Sequence, residues 1–308
     1  MQRNTLVAVE ARRATGRRVD GVEHIAERIA EELGARHGLL RLAERGCGGR
    51  RAAGLYVVVE GIDGAGVTSV SKILAGVLSR LVVGAPVVYA KEPSGSPIGS
   101  MLRWWLRGWL HIETPEAIAH LFAADRLVHL YEYPVAPGAR GVAGALAKGY
   151  IVVQDRYKYS SAAYQSVLGP TIYTPREILE LNSAAPPPHI LVYLDVEPRV
   201  AIERIRRSRG ALEKPEDTDT LEEVRRAYHE VLETLRRSPE WPTRGQEPAW
   251  ARLLRRATSL EPDCLYPPTT SYPIVIEVDA NQRLEEVAAS AAESVAEAAL
   301  EAHLLERA

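Results

Sequence analysis

The sequence predicts a doubly wound α/β domain built on a parallel five-stranded sheet with flanking helices, and three observations carry that expectation. Five short runs, "LYVVVE", "APVVYA", "YIVVQ", "HILVYLDV" and "YPIVIEV", are apolar and rich in β-branched residues, the pattern of strands buried on both faces. The segments between them are long enough for crossover helices, so strand and helix alternate along the chain. The first run ends in glycines that lead straight into a helical pattern, Thr68 to Leu81. In such a sheet ligands sit beyond the carboxyl ends of the strands, and candidate residues are expected there.

Ahead of the first strand, "VEHIAERIAEELGARHGLLRLAER" repeats apolar residues at helical spacing and predicts an amphipathic helix over Val22 to Arg45, broken by "GCGGRRAAG". Residues 1–53 form an N-terminal extension, read either as an appended helix packed on the main domain or as an over-extended translation start. Its acids argue against mitochondrial targeting. Residues 54–308 form the main domain. Within it "RRSRGALEKPEDTDTLEE" is a charged loop between helices, and the proline-rich segment at about 238–273 is expected to be an insertion without long regular structure.

With 46% hydrophobic residues, the 308-residue chain can bury a large core. A net charge of -2 gives no global attraction to nucleic acid or to an anionic membrane, so an anionic partner should be small and met by a local cluster. No run reaches the ~20 apolar residues a membrane helix needs, and the N-terminus lacks a signal-peptide core, which predicts a soluble, cytoplasmic protein. The two cysteines, Cys47 and Cys264, are too few and too far apart in sequence to suggest a disulfide framework or a zinc site, in keeping with a reducing compartment. Only five of the 38 basic residues are lysine, so phosphate should be gripped mainly by arginine, whose planar fork suits its oxygens.

The stretch "GIDGAGVT", Gly61 to Thr68, turns a strand into a helix through glycines. That geometry points backbone N–H groups and the positive helix end at one spot, an anion site made of main chain. Against G-x-x-x-x-G-K-[ST] it matches at Gly61, Gly66 and Thr68, but Val67 stands where the lysine belongs. Taken alone, the glycines are equally compatible with a plain tight turn.

Four further stretches follow in order: "KEPSGSPIGSMLR" (Lys91 to Arg103), "LFAADR" (Leu121 to Arg126), "QDRYKYSSAAYQ" (Gln154 to Gln165) and "YLDVEPRVAIERIRRSRG" (Tyr193 to Gly210). With the glycine loop they resemble thymidylate kinases, enzymes that phosphorylate dTMP with ATP. The resemblance runs over most of Leu55 to Leu300 and leaves out the first 53 residues and the proline-rich insertion. It implies a P-loop nucleoside monophosphate kinase fold, ATP and Mg2+ as cofactors, small-molecule nucleotides rather than nucleic acid or membrane as partners, and a homodimer.

By the same resemblance, Gly61, Ile62, Asp63, Gly64, Ala65, Gly66, Val67 and Thr68 hold ATP, and Thr68 and Asp155 face the metal. Phe122 stacks on thymine and Arg126, four residues on and so on the same helix face, hydrogen-bonds the base. Arg156 and Arg103 take the dTMP phosphate, while Ser161, Tyr164 and Gln165 surround the nucleoside. Asp63 faces the acceptor sugar and its arginines. Arg204, Arg206, Arg207 and Arg209 fall in a lid at about 204–218, and Arg207 and Arg209 join Asp63 and Arg156 as the catalytic candidates.

Phosphoryl transfer to a phosphate oxygen needs no activated nucleophile; it needs alignment, charge neutralisation and exclusion of water. Losing one charged hydrogen bond at Val67 costs about 1.5–3 kcal/mol, or about ten- to a hundredfold in rate. A lid arginine or Lys91 is expected to replace that charge, whereas Lys72 lies further along the helix and should point away. Two alternatives stay open: a catalytically dead nucleotide-binding paralogue with a regulatory role, and a kinase for another deoxynucleoside monophosphate.

Overall fold

A computed structural model describes residues 20–44, 53–168, 171–209, 218–241, 247–267 and 270–308, without the side chains of 20, 208 and 209. In chain order the elements are α1 (Asp20–His37), β1 (Leu40–Leu42), β2 (Leu55–Gly61), α2 (Val67–Leu81), β3 (Val87–Lys91), α3 (Pro97–Leu106), α4 (Pro115–Tyr131), α5 (Gly141–Ala147), β4 (Ile151–Asp155) and α6 (Lys158–Tyr164). They continue with α7 (Pro175–Leu181), β5 (Ile190–Asp195), α8 (Pro198–Arg209), α9 (Thr218–Arg237), α10 (Ala249–Thr258), α11 (Pro262–Leu265), β6 (Ile274–Asp279), α12 (Leu284–Glu301) and β7 (Leu305–Arg307).

The five expected strands form one parallel sheet in the order β3-β4-β2-β5-β6. Every residue of β2 and β4 is buried, as their unbroken apolar runs require. Chain order reverses across β2, so the loops after β2, β3 and β4 open on one carboxyl edge. Register then fixes which side chains are neighbours there: Lys91 lies opposite Asp155, and Asp155 opposite Val59, two residues before Gly61.

Three expectations need correction. The N-terminal helix stops at His37, not Arg45, because Gly38 takes a left-handed φ of 76° with its N–H on the Gly34 carbonyl at 3.0 Å. Leu40–Leu42 then pairs antiparallel with Leu305–Arg307. Ala26, Ile29 and Leu33 bury the inner face of α1 in the common core, where α1 meets α2 and α12.

The proline-rich segment is not irregular throughout. It carries α10, which buries Trp250, Ala251 and Leu254, with Trp250 edge-on to Trp241 and Tyr266 at 5.2 Å. A ten-residue amphipathic pattern between prolines is too short to stand out in sequence, and tertiary burial stabilises it. The segment's start is tied to α6, since Glu240 accepts from Lys158 Nζ at 2.6 Å and from the Tyr159 hydroxyl at 2.5 Å.

Third, Cys264 is disulfide-bonded. Cys47, the other cysteine of the chain, lies outside the described residues. No described helix is long and apolar enough to cross a membrane.

Candidate active site

The glycine loop wraps the end of β2 and delivers the chain into α2. Gly64 sits at φ 85°, and a Cβ there would lie 2.5 Å from the Ala201 carbonyl of α8, so no larger residue fits. The first-turn N–H groups of α2 have no carbonyl to bond within their own helix and face the carboxyl edge of the sheet. Val67 opens this helix with its side chain 4% exposed and packed into the apolar core.

Thr68 donates its hydroxyl to Asp155 Oδ2 at 2.6 Å, and Tyr89 donates to the same oxygen at 2.7 Å. Burial, and then the charge of Asp155, push the Tyr89 hydroxyl well up, so it stays protonated and donating. Lys91 completes the cluster, its Nζ 2.9 Å from Thr68 Oγ1 and 3.0 Å from Asp155 Oδ2. Asp155 Oδ1 is buried with no protein partner. An orphaned carboxylate oxygen beside a hydroxyl is a hard-oxygen donor set that suits magnesium. Among the described residues no group of three His, Cys, Asp or Glu stands together, so such an ion would fill its shell with water and phosphate.

Arg156 follows β4 in a left-handed conformation, φ 66°, costly for a non-glycine residue. Its guanidinium pairs with Asp63 in the glycine loop and donates to the Gly61 carbonyl at 3.1 Å. Tyr164 packs under it, 5.4 Å from ring centre to guanidinium, and accepts from the Asp63 N–H at 2.7 Å. The sequence reading brought Asp63, Arg156 and Tyr164 together by resemblance; in the fold they touch.

The strain at Arg156 is held by a residue the sequence reading passed over. Glu60, the last residue before Gly61, is fully buried. Its Oε1 accepts the N–H groups of Tyr157 at 2.9 Å and Ser160 at 3.1 Å; its Oε2 accepts the Ser160 hydroxyl and the Tyr228 hydroxyl of α9, the latter at 3.0 Å. Burial pushes its carboxyl up to about 7, against the pull of those hydrogen bonds and of Arg156. One acid inside the apolar run "VVVE" was the available signal.

Arg126 is 1% exposed and reaches Glu92 Oε2 at 2.7–2.8 Å, Ser161 at 3.0 Å and Asn182. Phe122, one turn earlier on α4, is half-buried. Gln165 reaches Ser161 at 3.4 Å and leaves its Oε1 buried without a partner. Glu92, Asn182 and Asp125 were not singled out from sequence. Asp125 accepts from Ser94 and Ser96 at 2.6–2.7 Å and so fixes the turn after β3.

The remaining candidates are held in other contacts, although Arg103 lines one cavity with Tyr89 and Lys91. Arg103 spends its guanidinium on the carbonyls of Pro93 and Ser94 and on Ser100. Arg204 caps the carbonyls of Ala280, Asn281 and Gln282. Arg207 is exposed on α8 and paired with Glu203. The Arg209 side chain and residues 210–217 of the expected lid lie outside the described residues.

A thymidylate kinase family profile matches residues 59–238, more than half of the chain. The chain belongs to the thymidylate kinase family. Its similarity to curated members spans both archaea and bacteria. A probable thymidylate kinase of Pyrobaculum calidifontis is 43% identical over 175 residues, covering 56% of this chain and 80% of the relative. One from Archaeoglobus fulgidus is 37% identical over 177 residues, 57% of this chain and 81% of the relative. A thymidylate kinase of Xanthomonas euvesicatoria is 38% identical over 179 residues, 58% and 72%. The family profile begins within β2 and ends just past α9, so it takes in Glu60, the glycine loop, Lys91, Arg126 and Arg156. As a thymidylate kinase family member the chain is a nucleoside monophosphate kinase with small-molecule nucleotide substrates.

Proposed function

We propose that this chain transfers the terminal phosphoryl group of ATP to dTMP, giving dTDP and ADP in the route to dTTP. The observation that carries the reading is the joining of Arg156 and Asp63 across the end of β4 and the glycine loop, which sets an acceptor-side cation beside a donor-side anion site. Family membership favours this activity over both the dead paralogue and the kinase for another acceptor.

The glycine loop amides and the helix dipole of α2 receive the donor phosphates. Thr68 and Asp155 would hold magnesium, which when bound draws charge off those phosphates and orients them. Arg156 neutralises the acceptor phosphate; its Nε–H has no partner among the described residues and is available to it. Phe122 stacks on the base, and the unpaired Gln165 Oε1 beside Ser161 and Arg126 offers an acceptor for a base N–H. Tyr164, held by the Asp63 amide, borders the sugar. Arg207 and Arg209 precede the 210–217 stretch from which a lid would close over ATP.

Purified protein with MgATP should phosphorylate dTMP at least tenfold faster, by kcat/KM, than dUMP, dCMP, dGMP or dAMP. Binding of dTMP without turnover would select the regulatory reading, and a preference for another acceptor would select the third.

Self-association is part of the proposal. Trp104 (50% exposed), Trp109 (71%), Met101 and Leu127 leave an apolar face on α3, α4 and the turn between them. A second copy of the chain is its proposed cover, because tryptophan-rich faces of this kind favour burial. Sedimentation of the wild type should give a dimer, and Trp104→Glu should shift it to monomer at micromolar concentration.

A further inference from the structure

We infer that Lys91 supplies the phosphate-directed cation that Val67 leaves out of the glycine loop. The inference rests on the proposed ATP-dependent activity and names the residue that makes it compatible with this loop. At position 67 the side chain is buried in apolar packing and offers neither charge nor a donor. Lys72 is turned over the Tyr89 ring at 5.7 Å, Arg156 stands on the acceptor side at Asp63 and Gly61, and Arg207 is paired with Glu203. Among these cations it is Lys91 that reaches the loop beside position 67, with Nζ 2.9 Å from the hydroxyl of Thr68, the neighbour of Val67 in the chain, whereas Arg156 meets the loop at Gly61 and Asp63.

Register explains the placement. Lys91 closes β3 directly opposite Asp155 of β4, so the two side chains leave the same face of the sheet at its carboxyl edge. The ammonium therefore arrives from the adjoining strand, not from the first turn of the helix. It stays mobile, for the Lys91 side chain is 46% exposed while Asp155 is fully buried and clamped by Thr68 and Tyr89. In the free protein Asp155 is its counter-ion. Bound nucleotide would add a second anion beside the glycine loop, toward which this partly exposed ammonium can turn whether or not a metal is present. Lysine is suited to this exchange, being a point charge on a flexible four-carbon stem.

The test is calorimetric binding of ADP to the full chain, with magnesium and in its absence, for wild type, Lys91→Met and Lys91→Arg, with dTMP affinity measured on the same samples. Expected results are a ten- to hundredfold weaker ADP affinity for Lys91→Met under both conditions, recovery to within fivefold in Lys91→Arg, and dTMP affinity within twofold throughout. Unchanged ADP affinity in Lys91→Met overturns the inference. So does a parallel loss of dTMP affinity, which marks a structural role, or a loss confined to the magnesium arm, which marks an effect through the metal alone. Val67→Lys gives an independent arm: a wild type that binds dTMP yet is silent with ATP, and gains turnover in Val67→Lys, overturns it as well. Wild type that binds neither nucleotide instead refutes the proposed function.

Discussion

Arg156→Met is expected to lower kcat/KM for dTMP about a thousandfold while leaving ADP affinity within about threefold. Two charge-assisted hydrogen bonds to a phosphate, at about 1.5–3 kcal/mol each, sum to roughly 4 kcal/mol, which is about three decades in rate. Asp63 would also lose the Arg156 guanidinium and repel the incoming phosphate. The methionine keeps the volume and the same left-handed strain, so the comparison isolates the guanidinium. Steady-state kinetics with dTMP varied at saturating MgATP, together with ADP calorimetry, check it. A change of less than tenfold in kcat/KM would remove Arg156 from the acceptor phosphate.

Glu60→Ala is expected to destabilise the fold by about 3–5 kcal/mol, the range for removing one partner from a buried charged network. The Tyr157 and Ser160 amides would lose their acceptor, and the Ser160 and Tyr228 hydroxyls would be left with each other and the Gly61 carbonyl. The loss should show as a shifted denaturant midpoint with an unchanged slope. A higher KM for dTMP should accompany it, because those amides hold the loop in which Arg156 takes φ 66°.

The same residue predicts a pH dependence. Its carboxyl rises from 4.5 in the unfolded chain to about 7 in the fold. Between those values the folded state holds a proton that the unfolded state has released, so stability falls as pH rises through the window and levels off above it. The span corresponds to about 3 kcal/mol. Glu60→Gln does not titrate and should flatten this slope; an equally steep wild-type and Glu60→Gln profile over pH 4.5 to 7 would show that other groups carry it.

How much of this was legible in the sequence depended on the range of the interaction. β2, β4 and β5 announced themselves because a strand buried on both faces must be apolar throughout, a demand met within five to seven residues, while the edge strands β3 and β6, only partly buried, still showed as short β-branched runs. The glycine loop was legible for a similar reason: its close approach to α8 and its backbone conformation exclude side chains locally. Glu92, Asn182 and Glu60 were not, since an acid or amide in a single sequence does not reveal that its partner lies 34, 56 or 100 residues away. The proline-rich segment went the same way, for α10 is helical by virtue of what Trp250 and Leu254 pack against.

By itself, then, the sequence determined the strand pattern, the turn that presents backbone amides, and the absence of a lysine at position 67. Which cation stands in for that lysine was decided only by tertiary structure. A parallel ladder couples residues by register instead of by chain distance, and it is the pairing of β3 with β4 that sets Lys91 against Asp155 and Thr68.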